Sequence, residues 1–93
     1  MTDIIVKQMP AFKKAYKKLH LNEKHEVDDA IRAILKNPHL GEEKKGDLAG
    51  VFVYKFKIHR QEKLLAYEWN SKERLLLALG MHENFHRDLK KRS

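Results

Sequence analysis

The residues with the most chemical content lie in the middle of the chain and near its C-terminus. His82-Glu83-Asn84-Phe85-His86 satisfies the His-Glu-x-x-His pattern, in which two imidazoles one helical turn apart hold zinc and the glutamate activates water. That chemistry needs a continuous helix and a third protein ligand. Only seven residues follow His86, the sole carboxylate side chain among them is Asp88, and Gly80 ends the preceding apolar run, which puts His82 at a helix start. A zinc peptidase is thus the less favoured alternative, and no metal or other cofactor is expected. The second constellation is Tyr54-Lys55-Phe56-Lys57-Ile58, where two cations alternate with apolar side chains. This is the spacing of a strand with one apolar and one basic face, either a phosphate-binding surface or a merely solvated one.

Charge favours a polyanionic partner. Twenty Lys and Arg against 13 Asp and Glu leave a net charge of +7 over 93 residues. Residues 1–20 carry five lysines against Asp3, and residues 51–63 carry Lys55, Lys57, Arg60 and Lys63 against Glu62. Such clustering exceeds what solubility alone asks for. Zero cysteines exclude disulfide staples, thiolate zinc sites and cysteine nucleophiles. The length allows one core, so residues 1–93 are expected to form a single domain and two-domain enzymes are excluded. The longest apolar run, Leu75 to Leu79, is far short of a membrane span, and no signal-peptide pattern opens the chain. A cytoplasmic protein without membrane contact is expected.

These groups must be positioned by a small set of elements. Asp3 to Lys7 reads as a strand that ends at Met9-Pro10, with proline at the first turn of a helix. Phe12, Ala15, Tyr16 and Leu19 give that helix an apolar stripe and leave Lys13, Lys14, Lys17 and Lys18 outside. Asn22 is expected to cap a second helix with the stripe Val27, Ala30, Ile31, Ile34 and Leu35, which stops at Asn37-Pro38. Residues 39–50 read as a loop. From Val51 the period changes to two, with Phe52, Tyr54, Phe56 and Ile58 on one side and Val51, Val53, Lys55 and Lys57 on the other. A turn from His59 to Glu62, a strand from Lys63 to Trp69, a turn from Asn70 to Glu73 and a doubly covered strand from Leu75 to Leu79 complete a meander. Glu83 to Lys91 reads as a short helix. The expected fold is α+β: an N-terminal strand, an antiparallel helical hairpin on one face of an antiparallel sheet, a three-stranded antiparallel meander and a short C-terminal helix, with the other sheet face partly open.

The element order, the Tyr54-Lys55-Phe56-Lys57-Ile58 strand followed by Leu65-Ala66-Tyr67, and the final strand running into Gly80-Met81-His82 together resemble the RelE/ParE superfamily of bacterial type II toxins. The resemblance spans nearly the whole chain. It implies a toxin neutralised by a cognate antitoxin, acting either as a ribosome-associated mRNA endonuclease, as RelE-like members do, or as a DNA gyrase inhibitor, as ParE-like members do. An inactive toxin-like binding protein is a third class. Carried over residue by residue, Lys55 and Lys57 match the basic pair of the RelE-type strand, and His82 matches a C-terminal histidine. The arginine of RelE-like members falls on or near Leu64, with Arg60 or Lys63 as nearest substitutes.

For metal-independent RNA cleavage the resemblance implies Lys55, Lys57 and Arg60 as charge-stabilising groups, with His82 as acid or base. His86, beside His59 and Glu62, is a further candidate for proton transfer, and Lys63, Phe85 and Arg87 are candidates for substrate binding. Histidine titrates nearest neutral pH, cations stabilise the developing phosphorane charge, and an aromatic ring can stack on an unpaired base.

Overall fold

Met9 has extended backbone and Pro10 takes the first helical position, so the strand β1, Ile5–Gln8, passes directly into the helix α1, Pro10–Lys17. Our computed structural model describes residues 3–80. The short helix α1 owes its existence to packing, because Phe12 is buried while its lysines face outward. After a three-residue connection comes α2, Leu21–Lys36, which buries Val27, Ala30 and Ile34 in the expected stripe. Its cap differs from expectation. His20, not Asn22, is the capping position, because the Glu23 carboxylate reaches back to accept the His20 amide N–H at 2.9 Å. Asn22 falls inside the first turn.

Residues 39–50 hold more structure than a loop. Two single-turn 3₁₀ segments flank β2, Glu42–Glu43, which pairs with Phe52 and Val53 and makes the sheet five-stranded. The remaining strands are β3 (Phe52–Ile58), β4 (Gln61–Trp69) and β5 (Glu73–Gly80), in the spatial order β1-β5-β4-β3-β2. The meander is antiparallel as expected, whereas β1 runs parallel to β5. The helical hairpin carries the chain across the sheet between β1 and the meander, so the first strand returns beside the last one with the same direction.

The helices cover one face. Phe12, Val27, Ala30 and Ile34 pack on Ile58, Leu65, Tyr67 and Leu76, with Phe52, Tyr54, Phe56 and Trp69 around them. The opposite face is less open than the sequence suggests. Val53, Leu64, Ala66 and Leu77 are buried there, and Met9, Leu48, Val51 and Leu75 pack around them. A bulge assists this: Ala66 opposes Ala78 and Tyr67 opposes Leu76, leaving Leu77 unopposed on β5. Both faces of β5 are thus covered, as its unbroken apolar run requires.

Two side chains fasten the loops to this frame. The Tyr67 hydroxyl donates to the Pro38 carbonyl at 2.6 Å and accepts the Gly41 N–H at 2.9 Å. Burial raises the Tyr67 phenol above its ordinary pKa, opposed by the Gly41 hydrogen bond and the Arg74 charge. Arg74, only 4% exposed, donates from Nε to the Ile34 carbonyl at 3.0 Å and from Nη2 to the Leu35 carbonyl at 3.2 Å. Its guanidinium also sits 5.6 Å from the centre of the Trp69 ring. It therefore satisfies carbonyls that the end of α2 would otherwise leave bare.

Candidate nucleic-acid interface

The alternation of β3 sends Phe52, Tyr54, Phe56 and Ile58 toward the helices and Lys55 and Lys57 to the opposite face, where both are exposed. A rise of about 3.4 Å per residue separates the two lysines by roughly 7 Å along the strand. Across β4 their partners are Leu64, which is buried, and Glu62, which is exposed. Among the described residues the ion pairs are Lys7 with Glu73, Arg32 with Asp29 and Lys44 with Glu42, so neither strand lysine is held by a carboxylate. Two exposed lysines thus share one face of β3 beside the second apolar cluster.

Arg60 sits at the end of the same hairpin. Ile58 pairs with Gln61, so the turn is His59-Arg60 alone, not His59 to Glu62, and Gln61 and Glu62 belong to β4. Both turn residues have positive φ, 50° at His59 and 70° at Arg60, the type I′ geometry that matches the twist of a two-residue hairpin. Asparagine and glycine usually occupy these positions. Lys63 goes elsewhere: it pairs with Phe56 and falls on the helix side of the sheet, half-buried. The hairpin therefore carries Lys55, Lys57 and Arg60 on β3 and the turn that follows it, and puts Lys63 on the opposite face from the lysine pair.

One row of the sheet runs from Lys55 through Leu64 to Gly80. Gly80 is thus two strands across from Lys55, roughly 10 Å away at the usual strand spacing. His82, Phe85, His86 and Arg87, together with the expected helix from Glu83 to Lys91, lie outside the described residues. Leu64, the match to the RelE-type arginine, is 1% exposed and belongs to the second apolar cluster. The exposed α1 lysines stand on the helix side, away from Lys55 and Lys57.

A contact that no sequence pattern announces joins Asn22 to His59. Asn22 Nδ2 lies 3.0 Å from His59 Nε2, joining the start of α2 to the β3–β4 turn. The two residues are 37 positions apart, and no local pattern signals such a contact.

A family model described as the ParE-like toxin of type II bacterial toxin-antitoxin systems matches residues 6–90. The chain belongs to that family. Its membership in the RelE/ParE superfamily is mirrored by the fold of solved structures. The RelBE2 toxin–antitoxin complex of Mycobacterium tuberculosis contains a chain with TM-score 0.72 at 16% identity, covering 87% of this chain and 100% of that one. A RelE mutant of E. coli in the free state gives 0.70 at 15% identity over 97% and 98% of the two chains. A YoeB/ParE toxin from Agrobacterium tumefaciens gives 0.68 at 18% identity over 85% and 99%. Among curated proteins none matches the chain by sequence. In this ParE-like toxin no described helix is long and apolar enough to cross a membrane.

Proposed function

We propose that this ParE-like toxin is a metal-independent, ribosome-associated mRNA endonuclease whose substrate lies along the Lys55 and Lys57 edge of β3. The observation that carries the reading is the exposed lysine pair, neither member of which is in an ion pair among the described residues, continued by Arg60 at the tip of the same hairpin. Cleavage needs a ribose 2′-hydroxyl to attack the adjacent phosphate while the 5′-oxygen leaves with a proton. Lys55 and Lys57 neutralise the charge that builds on the phosphorane oxygens, and Arg60 adds a planar, permanently charged donor. His82, two residues after Gly80, exchanges the proton, with His86 as the second titrating group and Phe85 as a stacking platform. Arg87 binds RNA backbone outside the scissile step, whereas Lys63, half-buried on the opposite face, is left out of this site. A cytoplasmic location follows from this substrate.

A cognate antitoxin is the implied protein partner. Its support is that solved relatives, the RelBE complexes of E. coli and M. tuberculosis and the YoeB-YefM complex of Staphylococcus aureus, are toxins bound to another chain. A second reading, inhibition of DNA gyrase without nuclease activity, is favoured by the ParE-like family model and by a buried leucine where RelE-like members carry an arginine.

Adding the purified toxin to a reconstituted translation system and mapping mRNA 5′ ends separates the two. The nuclease reading expects new ends only when ribosomes are present, and a loss on the order of 10²-fold in Lys57→Ala, which removes one transition-state donor. Intact mRNA together with altered plasmid supercoiling by gyrase would replace it with the second reading.

A further inference from the structure

The β3–β4 turn is unusual in composition. Its two residues, His59 at φ 50° and Arg60 at φ 70°, both carry side chains in the left-handed region. Histidine visits this region more readily than most residues, but arginine does not, and neither supplies the freedom of the Asn-Gly pair that type I′ turns select. The ladder closes the turn at Ile58 and Gln61, and a contact from outside the hairpin would offset the cost of its two left-handed side-chain-bearing residues.

The structure offers one contact that can do this. The Glu23 amide N–H donates to Asn22 Oδ1 at 3.1 Å, which fixes the orientation of the Asn22 carboxamide. Its Nδ2, a donor only, is thereby turned toward His59 Nε2 at 3.0 Å. For this bond to form the ring nitrogen must accept, which the tautomer with its proton on Nδ1 provides. Asn22 itself is anchored at the start of α2, whose first turn is closed by the Glu23 bond to His20 and whose stripe is locked into the core. A rigid helix thus grips the first residue of the turn whose second residue is Arg60.

We infer that Asn22 and His59 are positioning residues: their hydrogen bond clamps the β3–β4 turn in its left-handed conformation and thereby aims Arg60 at the phosphate. This deepens the nuclease reading and rests on it for the role of Arg60, whereas the clamp itself is a property of the folded toxin.

The test has two arms. Long-range proton–nitrogen spectra of the His59 imidazole in the purified toxin, at a pH where it is neutral, should show the Nδ1-protonated tautomer, and that preference should vanish in Asn22→Ala. An Nε2-protonated ring, or a tautomer indifferent to Asn22→Ala, overturns the clamp whether or not RNA is cut. In the ribosome-programmed cleavage assay, Asn22→Ala should lower kcat about three- to five-fold with KM unchanged, the size expected for one exposed hydrogen bond. The loss should disappear in an Arg60→Ala background. Adding His59→Asn to Asn22→Ala should restore kcat, since asparagine favours the left-handed region without a clamp. A loss that persists without Arg60 overturns positioning through that residue. Cleavage unaffected by Arg60→Ala would instead sink the role of Arg60 in the nuclease, with the tautomer still deciding the clamp.

Discussion

The amide of Gly41 donates to the hydroxyl of Tyr67 at 2.9 Å, a bond that fastens the segment before β2 to the centre of β4. No larger residue fits there: a Cβ on Gly41 would stand 2.5 Å from the Tyr67 oxygen and 2.9 Å from a ring carbon. Because Tyr67 is fully buried, the ring cannot swing aside. Tyr67→Phe keeps the ring and strips partners from both the Gly41 N–H and the Pro38 carbonyl, so a loss of about 1–3 kcal/mol is expected. Gly41→Ala should also destabilise the fold. Urea unfolding followed by circular dichroism measures both, and unchanged midpoints would mean that water replaces the hydroxyl at no cost.

The same phenol makes stability sensitive to alkali. Burial raises the folded-state pKa of Tyr67, and burial together with the Asp28 hydrogen bond raises that of Tyr16. In the unfolded chain these tyrosines ionise near 10, before the folded ones do. The unfolded state therefore binds fewer protons in that range, and stability falls as pH rises. Full stability is expected below about pH 10 and a progressive loss above it. Thermal unfolding between pH 8 and 11 should show a shallower decline in Tyr67→Phe. An identical slope would assign the alkaline loss to other groups.

Arg74 is the buried charge that ties α2 to the β4–β5 turn, with a further Nη1 hydrogen bond of 2.8 Å to the Asn70 carbonyl. Arg74→Met preserves most of the volume but leaves the Ile34 and Leu35 carbonyls without donors, and should cost about 2–4 kcal/mol. Arg74→Lys should recover little, because one ammonium cannot span the fork. Rescue to near wild-type stability by lysine would show that charge alone, not geometry, is what α2 requires.

At the hairpin tip stability and function should oppose one another. Arg60→Gly relieves a left-handed arginine and is expected to raise stability by about 0.5–1 kcal/mol, net of the extra freedom glycine has when unfolded. The same change removes a proposed charge-stabilising group, so cleavage should fall while the melting temperature rises. A variant that gains stability with full activity would take Arg60 out of the mechanism.

Local periodicity carried much of this protein. Phe52 to Ile58 divides between the two faces as its alternation reads, Val27, Ala30 and Ile34 line α2, and Leu75 to Leu79 lies between covered faces. Pro10 and Pro38 mark helix boundaries because a fixed φ and a missing N–H act on the nearest turn, whatever the rest of the chain does. The exposed lysine pair was legible for the same reason: a two-residue period fixes which side of a strand each side chain takes. Other features were decided only when distant segments met. The parallel pairing of β1 with β5, the two-residue β2, the burial of Leu64 and the grip of Asn22 on His59 all join residues with no shared local pattern. Backbone pairing and apolar burial are satisfied by whichever segment the fold brings alongside. The sequence by itself therefore determined the faces of each element, and the tertiary structure decided which faces met and where the turn carrying Arg60 is held.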